Sequence, residues 1–343
     1  MTLLPTIPSP RVTVASQILA GIVLIAILKW NVIAALLAGL LVYALVGSLA
    51  PGLQRHLSGT RAHWLVVALL VVVVVGLITG VIIGGIAFLN SEHGNPTLLF
   101  QRLGPVLDRA RGQLPPGLVE YLPASPDDIR AVVVDWLRDH TAQLQGAGKQ
   151  AVRILVQIII GIVIGAMIAL HVALVKARDL TQKGPLAIAL TTRAANLVTS
   201  FRDVVFAQVK ISAVNTVLTG IFLLIVLPLF GVYLPLAKTL VVATFVVGLL
   251  PVIGNLISNT LIFVMGLSIS LWVALAALGY LIVIHKLEYF LNARIIGTQI
   301  RARAWELLIA MLMMEALFGA PGLIVAPIYY AYLKRELEAE RLI

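Results

Sequence analysis

Residues 304–335 read AWELLIAMLMMEALFGAPGLIVAPIYYAYLKR, an apolar stretch broken once, at Phe318-Gly319-Ala320-Pro321-Gly322. Each side of the break holds about 14 residues, or about 21 Å of helix at 1.5 Å per residue, against about 30 Å of hydrocarbon in a bilayer. Arms of that length suit a helix–turn–helix hairpin that enters a membrane and returns. The same pattern occurs once more, over Ala237–Ser268, where Pro251-Val252-Ile253-Gly254-Asn255 interrupts the run. The competing reading of both stretches is a pair of ordinary spans kinked at proline, which membrane helices tolerate.

The surrounding chain sets the class. It has 343 residues, 60% of them hydrophobic and only 12% charged. An ordinary globular domain is about a quarter charged. This composition excludes a soluble single-core protein, and it excludes disorder, which requires low hydrophobicity. A transmembrane β-barrel is disfavoured, because its signal is alternation over about ten residues rather than long apolar runs. The expected fold is an all-α polytopic membrane protein with about six full spans and two opposed re-entrant helical hairpins. The expected spans are Val12–Leu28, Val32–Ala50, Trp64–Leu89, Ala151–Val175, Ile211–Leu229 and Leu271–Leu291.

Between the third and fourth spans the composition changes. Residues 91–150 hold seven of the fifteen acidic residues, six basic ones and six prolines. This reads as a helical extracytoplasmic insert. Ser125-Pro126-Asp127-Asp128 has the form of a helix start, with a serine N-cap and acids in the first turn. Ile129, Val132, Val133, Trp136 and Leu137 then make one apolar stripe, which packs on the membrane domain, on a second subunit or on a soluble partner. Residues 176–210 carry six basic and two acidic residues, and the amphipathic part, Leu186–Phe206, reads as an interfacial helix on the cytoplasmic surface. The expected organisation is therefore an N-terminal membrane region (1–90), the insert (91–150), a span with a basic segment (151–210), a transport core (211–335) and a polar tail (336–343).

The net charge is +10. The basic residues sit in short loops between apolar runs, so the bias toward positive cytoplasmic loops explains them without nucleic acid. With 176–210 inside, the insert falls outside, and the 51–63 loop and the N-terminus with Arg11 fall inside. Residues 1–10 carry three prolines and no basic region before the first apolar run, so no cleavable signal peptide is expected. The chain has no cysteine, which excludes disulfides, thiol catalysis and cysteine-ligated metals. No Walker A loop, His-Glu-x-x-His or Gly-x-Ser-x-Gly is present, so ATP-driven pumping, zinc proteolysis and serine hydrolysis have no support. No enzyme activity, cofactor or metal centre is expected.

One span plus one hairpin occurs twice, in opposite orientation. Interrupted helices in corresponding positions of two halves point to the binding site of a secondary transporter. The candidate path residues are Pro251, Gly254, Asn255 and Asn259 at the first break and Glu315, Gly319 and Gly322 at the second, with Asn215 and Glu288 on the preceding spans. Glu288, Glu306 and Glu315 are the only carboxylates between Val204 and Lys334. An acid as deep in an apolar arm as Glu315 is costly and marks function by default; burial is expected to disfavour its charged form. Its alternative role is a structural pair with a basic residue. Likewise Asn215 serves either a site or a bond to a neighbouring helix. His285 and Glu288, at i, i+3, serve a relay or an ion pair beside Lys286 and Arg294; His171 is a packed residue.

These residues resemble a known family. Pro251-x-x-Gly254-Asn255, Lys286-Leu287-Glu288-Tyr289, Ile295-Ile296-Gly297, Phe318-Gly319-x-x-Gly322 and Pro327 stand in the order of the autoinducer-2 exporter family of bacterial membrane transporters. The resemblance implies a multi-pass inner-membrane secondary transporter, homo-oligomeric and pentameric, embedded in the lipid bilayer. It implies a small-molecule or ion substrate: autoinducer-2 for some members and sodium/proton exchange for others. Two other functions remain beside the exporter reading. One is a cation/proton antiporter that uses Glu315 or Glu288. The other is a non-transporting scaffold that binds a partner through 91–150.

Overall fold

The computed structural model describes residues 9–53, 59–90, 125–177, 184–249, 253–300 and 302–342, with Pro105, Asp108, Arg111 and Gly112. Within these helices some side chains fall outside the description, among them Asn255, His285 and Glu288. Every regular element among the described residues is helical. In chain order these are α1 (Pro10–Lys29), α2 (Ile33–Leu53), α3 (Gly59–Asn90), α4 (Pro126–Asp139), α5 (Thr141–Ala177), α6 (Pro185–Ile221), α7 (Ala237–Gly248), α8 (Ile253–Leu267), α9 (Leu271–Ile300), α10 (Ala304–Phe318) and α11 (Ala320–Ala339). By length and composition α1, α2, α5 and α6 with its continuation to Leu229 are long and apolar enough to cross a membrane. The helices α3 and α9 carry the shorter apolar stretches Arg61–Gly76 and Leu271–Ile284.

The structure redraws three boundaries. The first is the interfacial helix expected over Leu186–Phe206, which does not end before the span. α6 runs unbroken from Pro185 to Ile221, passes through a π-turn at Phe222–Val226 and ends at Leu229. The π-turn has a local cause. Pro228 has no N–H, so the Leu224 carbonyl loses its i+4 donor, and the ladder widens until the Leu227 N–H reaches Phe222 O. The second is the start of the fourth span, expected at Ala151, since α5 already starts at Thr141. The third is the outgoing arm of the second broken stretch. It has 20 residues rather than about 14, and it passes Arg335 to end at Ala339, inside the stretch expected to be a polar tail.

The start of α4 matches its sequence. The Asp128 N–H donates to Ser125 Oγ at 3.2 Å, and the Ser125 N–H donates to Asp128 Oδ2 at 2.8 Å, a reciprocal cap for two otherwise orphaned donors. Val132, Val133, Trp136 and Leu137 are all exposed within the chain.

The chain divides into two compact units. One comprises 1–76, 149–206 and 296–343 and contains α1, α2, most of α5, the first part of α6, α10 and α11. Its largest cluster joins Val42 and Val46 of α2, Val66 and Leu70 of α3, and Ile162 and Leu170 of α5. Small residues let α2 and α5 touch backbone to backbone: a Cβ on Gly161 or Gly165 would collide with the Ala35 or Gly39 main chain. Close approach of this kind replaces the hydrophobic driving force that membrane helices lack. The α1–α2 turn passes through Asn31, at φ 53°, which asparagine tolerates. α5 pins that turn. Arg153 Nη2 donates to Trp30 O at 3.1 Å and Gln157 Nε2 to Asn31 O at 2.8 Å.

The other unit comprises 77–148 and 207–295. Its core gathers Phe222 and Leu227 after α6, Leu240 of α7, Ile262 and Met265 of α8, and Ala277 of α9. The Phe222 and Tyr280 rings stack at a centroid distance of 3.8 Å.

The α2–α5 seam yields a test. Gly161→Leu places a branched chain where a single Cβ already collides, and overpacking costs about 1–3 kcal/mol. Its thermal unfolding midpoint in detergent is expected several degrees below that of the parent. Gly21→Leu, where nothing lies within 4 Å of an added Cβ, is expected to leave the midpoint unchanged.

Candidate functional site

Both broken stretches fold back on themselves. In the first, Leu240 of α7 shares a packed cluster with Ile262 and Met265 of α8. In the second, the base is closed by residues far apart in sequence. The Tyr330 hydroxyl donates to Glu306 Oε2 at 2.5 Å, Lys334 Nζ lies 3.3 Å from the same oxygen, and Leu307 packs with Ala331. Near the turn Met314 and Phe318 pack with Val325, Leu28 and Ile33. Each stretch is thus a helical hairpin, not one helix bent at proline.

Glycine makes both hairpins possible. Gly254, in the first turn of α8, is buried against the end of α7, where an added Cβ would collide with the Val247 carbonyl. Gly322 holds the same position in the second hairpin, against the Met314 carbonyl. Gly319 forms that hairpin's corner at φ 67°, ψ −155°, a region open essentially to glycine alone, and its N–H closes α10 by donating to Glu315 O at 2.7 Å.

The first hairpin depends on α6 as well. The last carbonyls of a helix have no donor within it. Gln208 Nε2 donates to Gly248 O at 2.8 Å and Ser212 Oγ to Phe245 O at 2.7 Å, so side chains of α6 satisfy the end of α7. The same face of α6 continues with Asn215, 6% exposed, and Thr219, 2% exposed, opposite an arm that buries Thr244. Thr216 Oγ1 and Tyr280 Oη are buried there without a hydrogen-bond partner among the described residues. This polar stripe lies inside an otherwise apolar bundle.

The expected path residues fall into two sets. Gly254, Asn259 and Asn215 lie in one unit, with Asn259 half-buried on α8. Glu315, Gly319 and Gly322 lie in the other. Pro251 is outside the described residues; Asn255 and Glu288 are placed in α8 and α9 by backbone only. Glu315 is not buried by its own chain. It is exposed on α10, on a face shared with Leu308 and Leu312, which are 41% and 66% exposed.

Gln208 and Ser212 are absent from the residues singled out in the sequence, although polar residues at 208, 212, 215, 216 and 219 follow helical spacing. A second set was also missed. Arg193, 7% exposed, pairs with Glu336, 6% exposed, and also bonds Glu340 Oε1 at 3.1 Å and Ser16 Oγ at 3.4 Å. Asn196 Nδ2 donates to Glu336 Oε1 at 2.9 Å, and Arg335 Nη2 meets Asp203 Oδ2 at 2.6 Å. These bonds join α1, α6 and α11.

Against known families, residues 17–341 match the model described as AI-2E family transporter, nearly the whole chain. The chain belongs to the AI-2E transporter family. An AI-2E family member is a transporter rather than an enzyme, and the apolar helices make it a membrane protein. No curated protein and no solved structure gives a match to this AI-2E chain.

The corner of the second hairpin gives the sharpest local test in this AI-2E member. Gly319→Ala forces a Cβ into a glycine-only backbone region at a cost of about 1–3 kcal/mol. Proteolysis of the variant in detergent is expected to cut near 319 at least several-fold faster than in the parent.

Proposed function

We propose that the chain is a secondary active transporter of a small molecule, an exporter of the autoinducer-2 type, in the bacterial inner membrane. The observation that carries this reading is the pair of hairpins, each with a glycine in the first turn of its returning arm pressed against the other arm. Broken helices at membrane depth offer backbone groups to a solute and are tolerated only where protein or a water-filled cavity covers them. The polar face from Gln208 to Thr219 supplies such cover for the first hairpin and a hydrogen-bonding surface beside it. A partner-binding scaffold has no use for either feature.

A second reading within transport, a cation/proton antiporter, is favoured by Glu315. A carboxylate on an exposed apolar face cannot rest against lipid tails without large cost. That face of α10 is then lined by water or by protein, where the carboxylate is free to bind and release a proton or sodium ion.

The orientation proposed from the basic loops puts the N-terminus and 176–210 in the cytoplasm and 91–150 outside. The contacts within the first unit fit it. The end of α11 meets the start of α1 through Glu340 and Gln17, and the hairpin turn lies near the α1–α2 turn that Arg153 pins from the other end. The active form is proposed to be a homo-oligomer, a pentamer by family, with the exposed stripe of α4 packed between subunits.

Counterflow in proteoliposomes decides between the transport readings. Liposomes preloaded with autoinducer-2 are expected to accumulate labelled autoinducer-2, whereas an antiporter moves protons against sodium with no organic solute. Glu315→Gln keeps size and hydrogen bonding but cannot change charge. It is expected to abolish gradient-driven flux and to leave equal-gradient exchange intact; normal gradient-driven flux removes Glu315 from the mechanism. Single cysteines at Ala142 and Leu342 in the otherwise cysteine-free chain are expected to react with an impermeant thiol reagent from opposite sides of the membrane.

A further inference from the structure

The contact between α6 and α11 is built as two matching ladders. Arg193, Asn196, Ser200 and Asp203 recur on α6 at intervals of three and four residues, so they share one face. Glu336 and Glu340 stand four residues apart on α11. Glu336 bonds Arg193 and Asn196, and Glu340 also bonds Arg193. One rung is left over. Ser200 is completely buried, and its Oγ has no partner among the described residues; Arg335 Nε, on α11, is likewise buried and unpartnered.

Two costs meet here. A buried ion pair gives up hydration that its own attraction only roughly repays, and its best-attested use is to set register or to switch. A buried hydroxyl without a partner adds the penalty of a lost hydrogen bond. A displacement of one helical turn removes the second cost and keeps the first pair matched. If α11 moves four residues toward the carboxyl end of α6, about 6 Å, Glu340 takes the present place of Glu336 on Arg193 and Asn196. Glu336 moves to the level of Ser200. Arg335 already reaches along α6 to Asp203, and the move shortens that reach. The bonds of Tyr330 and Lys334 to Glu306 lie within the hairpin and travel with it.

We propose that the second hairpin has two registers on α6, one helical turn apart, with Ser200 as the rung that Glu336 engages in the second. Gln17, which meets Glu340 at 3.4 Å, and Tyr329, whose hydroxyl donates to Leu24 O at 3.2 Å, hold the first register and release in the second. Discrete one-turn steps of packed helices are a known form of two-state switch. The proposal rests on the transporter reading only for the use of the step, which is to move the hairpin turn along the transport path.

The test measures register and needs no substrate, so it fails or succeeds independently of the transport assay. Spin labels are placed on cysteines at Leu333 of α11 and Ile188 of α6, both exposed, in the full-length chain in nanodiscs, diluted with unlabelled chain. Pulsed dipolar distances are read with and without added sodium, at neutral and acidic pH. Two populations differing by about 5 Å are expected, the longer being the second register. Ser200→Ala is expected to lower the longer population about tenfold, because it removes the rung and the first register's unpaired hydroxyl together. Ser200→Asn, which keeps a hydrogen-bonding group, is expected to retain both. A single distance under every condition overturns the proposal, and so does a pair of distances indifferent to Ser200→Ala.

Discussion

A backbone carbonyl that leaves a helix inside a membrane has no water to accept from, so its donor must come from the protein. The rest of this structure follows from that constraint. The end of α7 is completed by Gln208 and Ser212 of α6. The end of α10 is completed by the Gly319 N–H. The α1–α2 turn is completed by Arg153 and Gln157 of α5. For α7 and the α1–α2 turn the donors sit on a long neighbouring helix fixed by packing of its own; for α10 the donor is the corner glycine itself.

The long helices in turn are held by means suited to lipid. Gly39, Gly161 and Gly165 bring α2 and α5 together at their backbones. Charged groups do the joining where α1, α6 and α11 meet, and they are buried there rather than displayed. Replacing one partner of the Arg193–Glu336 pair leaves an uncompensated charge in the interior, which is far costlier than removing both. This makes the joint intolerant of single changes yet contributes little net stability, a combination that fits a joint whose geometry matters more than its strength.

Much of this was legible in the residues. The apolar runs, the two breaks and the Ser125 cap depend on composition, spacing and local chemistry, which a sequence states directly. The corner glycine Gly319 and the packed glycine Gly254 were legible, because each position admits no side chain, the first for its backbone angles and the second for close approach. What was not legible depends on distance or on absence of a break. Arg193 and Glu336 are separated by 143 positions, and nothing near either residue names the other. The continuity of α6 was hidden because an amphipathic stretch followed by an apolar one reads as two elements, whereas helix geometry carries straight through both. The exposure of Glu315 was hidden for a related reason: depth in the sequence of an arm does not say which way a side chain faces.

The central proposal is that the broken stretches are hairpins which enter the membrane and return on the same side. Single cysteines at Tyr233 and Ser270, which flank the first hairpin, test it most directly in intact membrane vesicles. Both are predicted to be modified by an impermeant thiol reagent from the extracytoplasmic face and to be protected from the cytoplasmic one. Modification of the two from opposite faces would contradict the account and make the first broken stretch a single kinked span crossing the membrane in full.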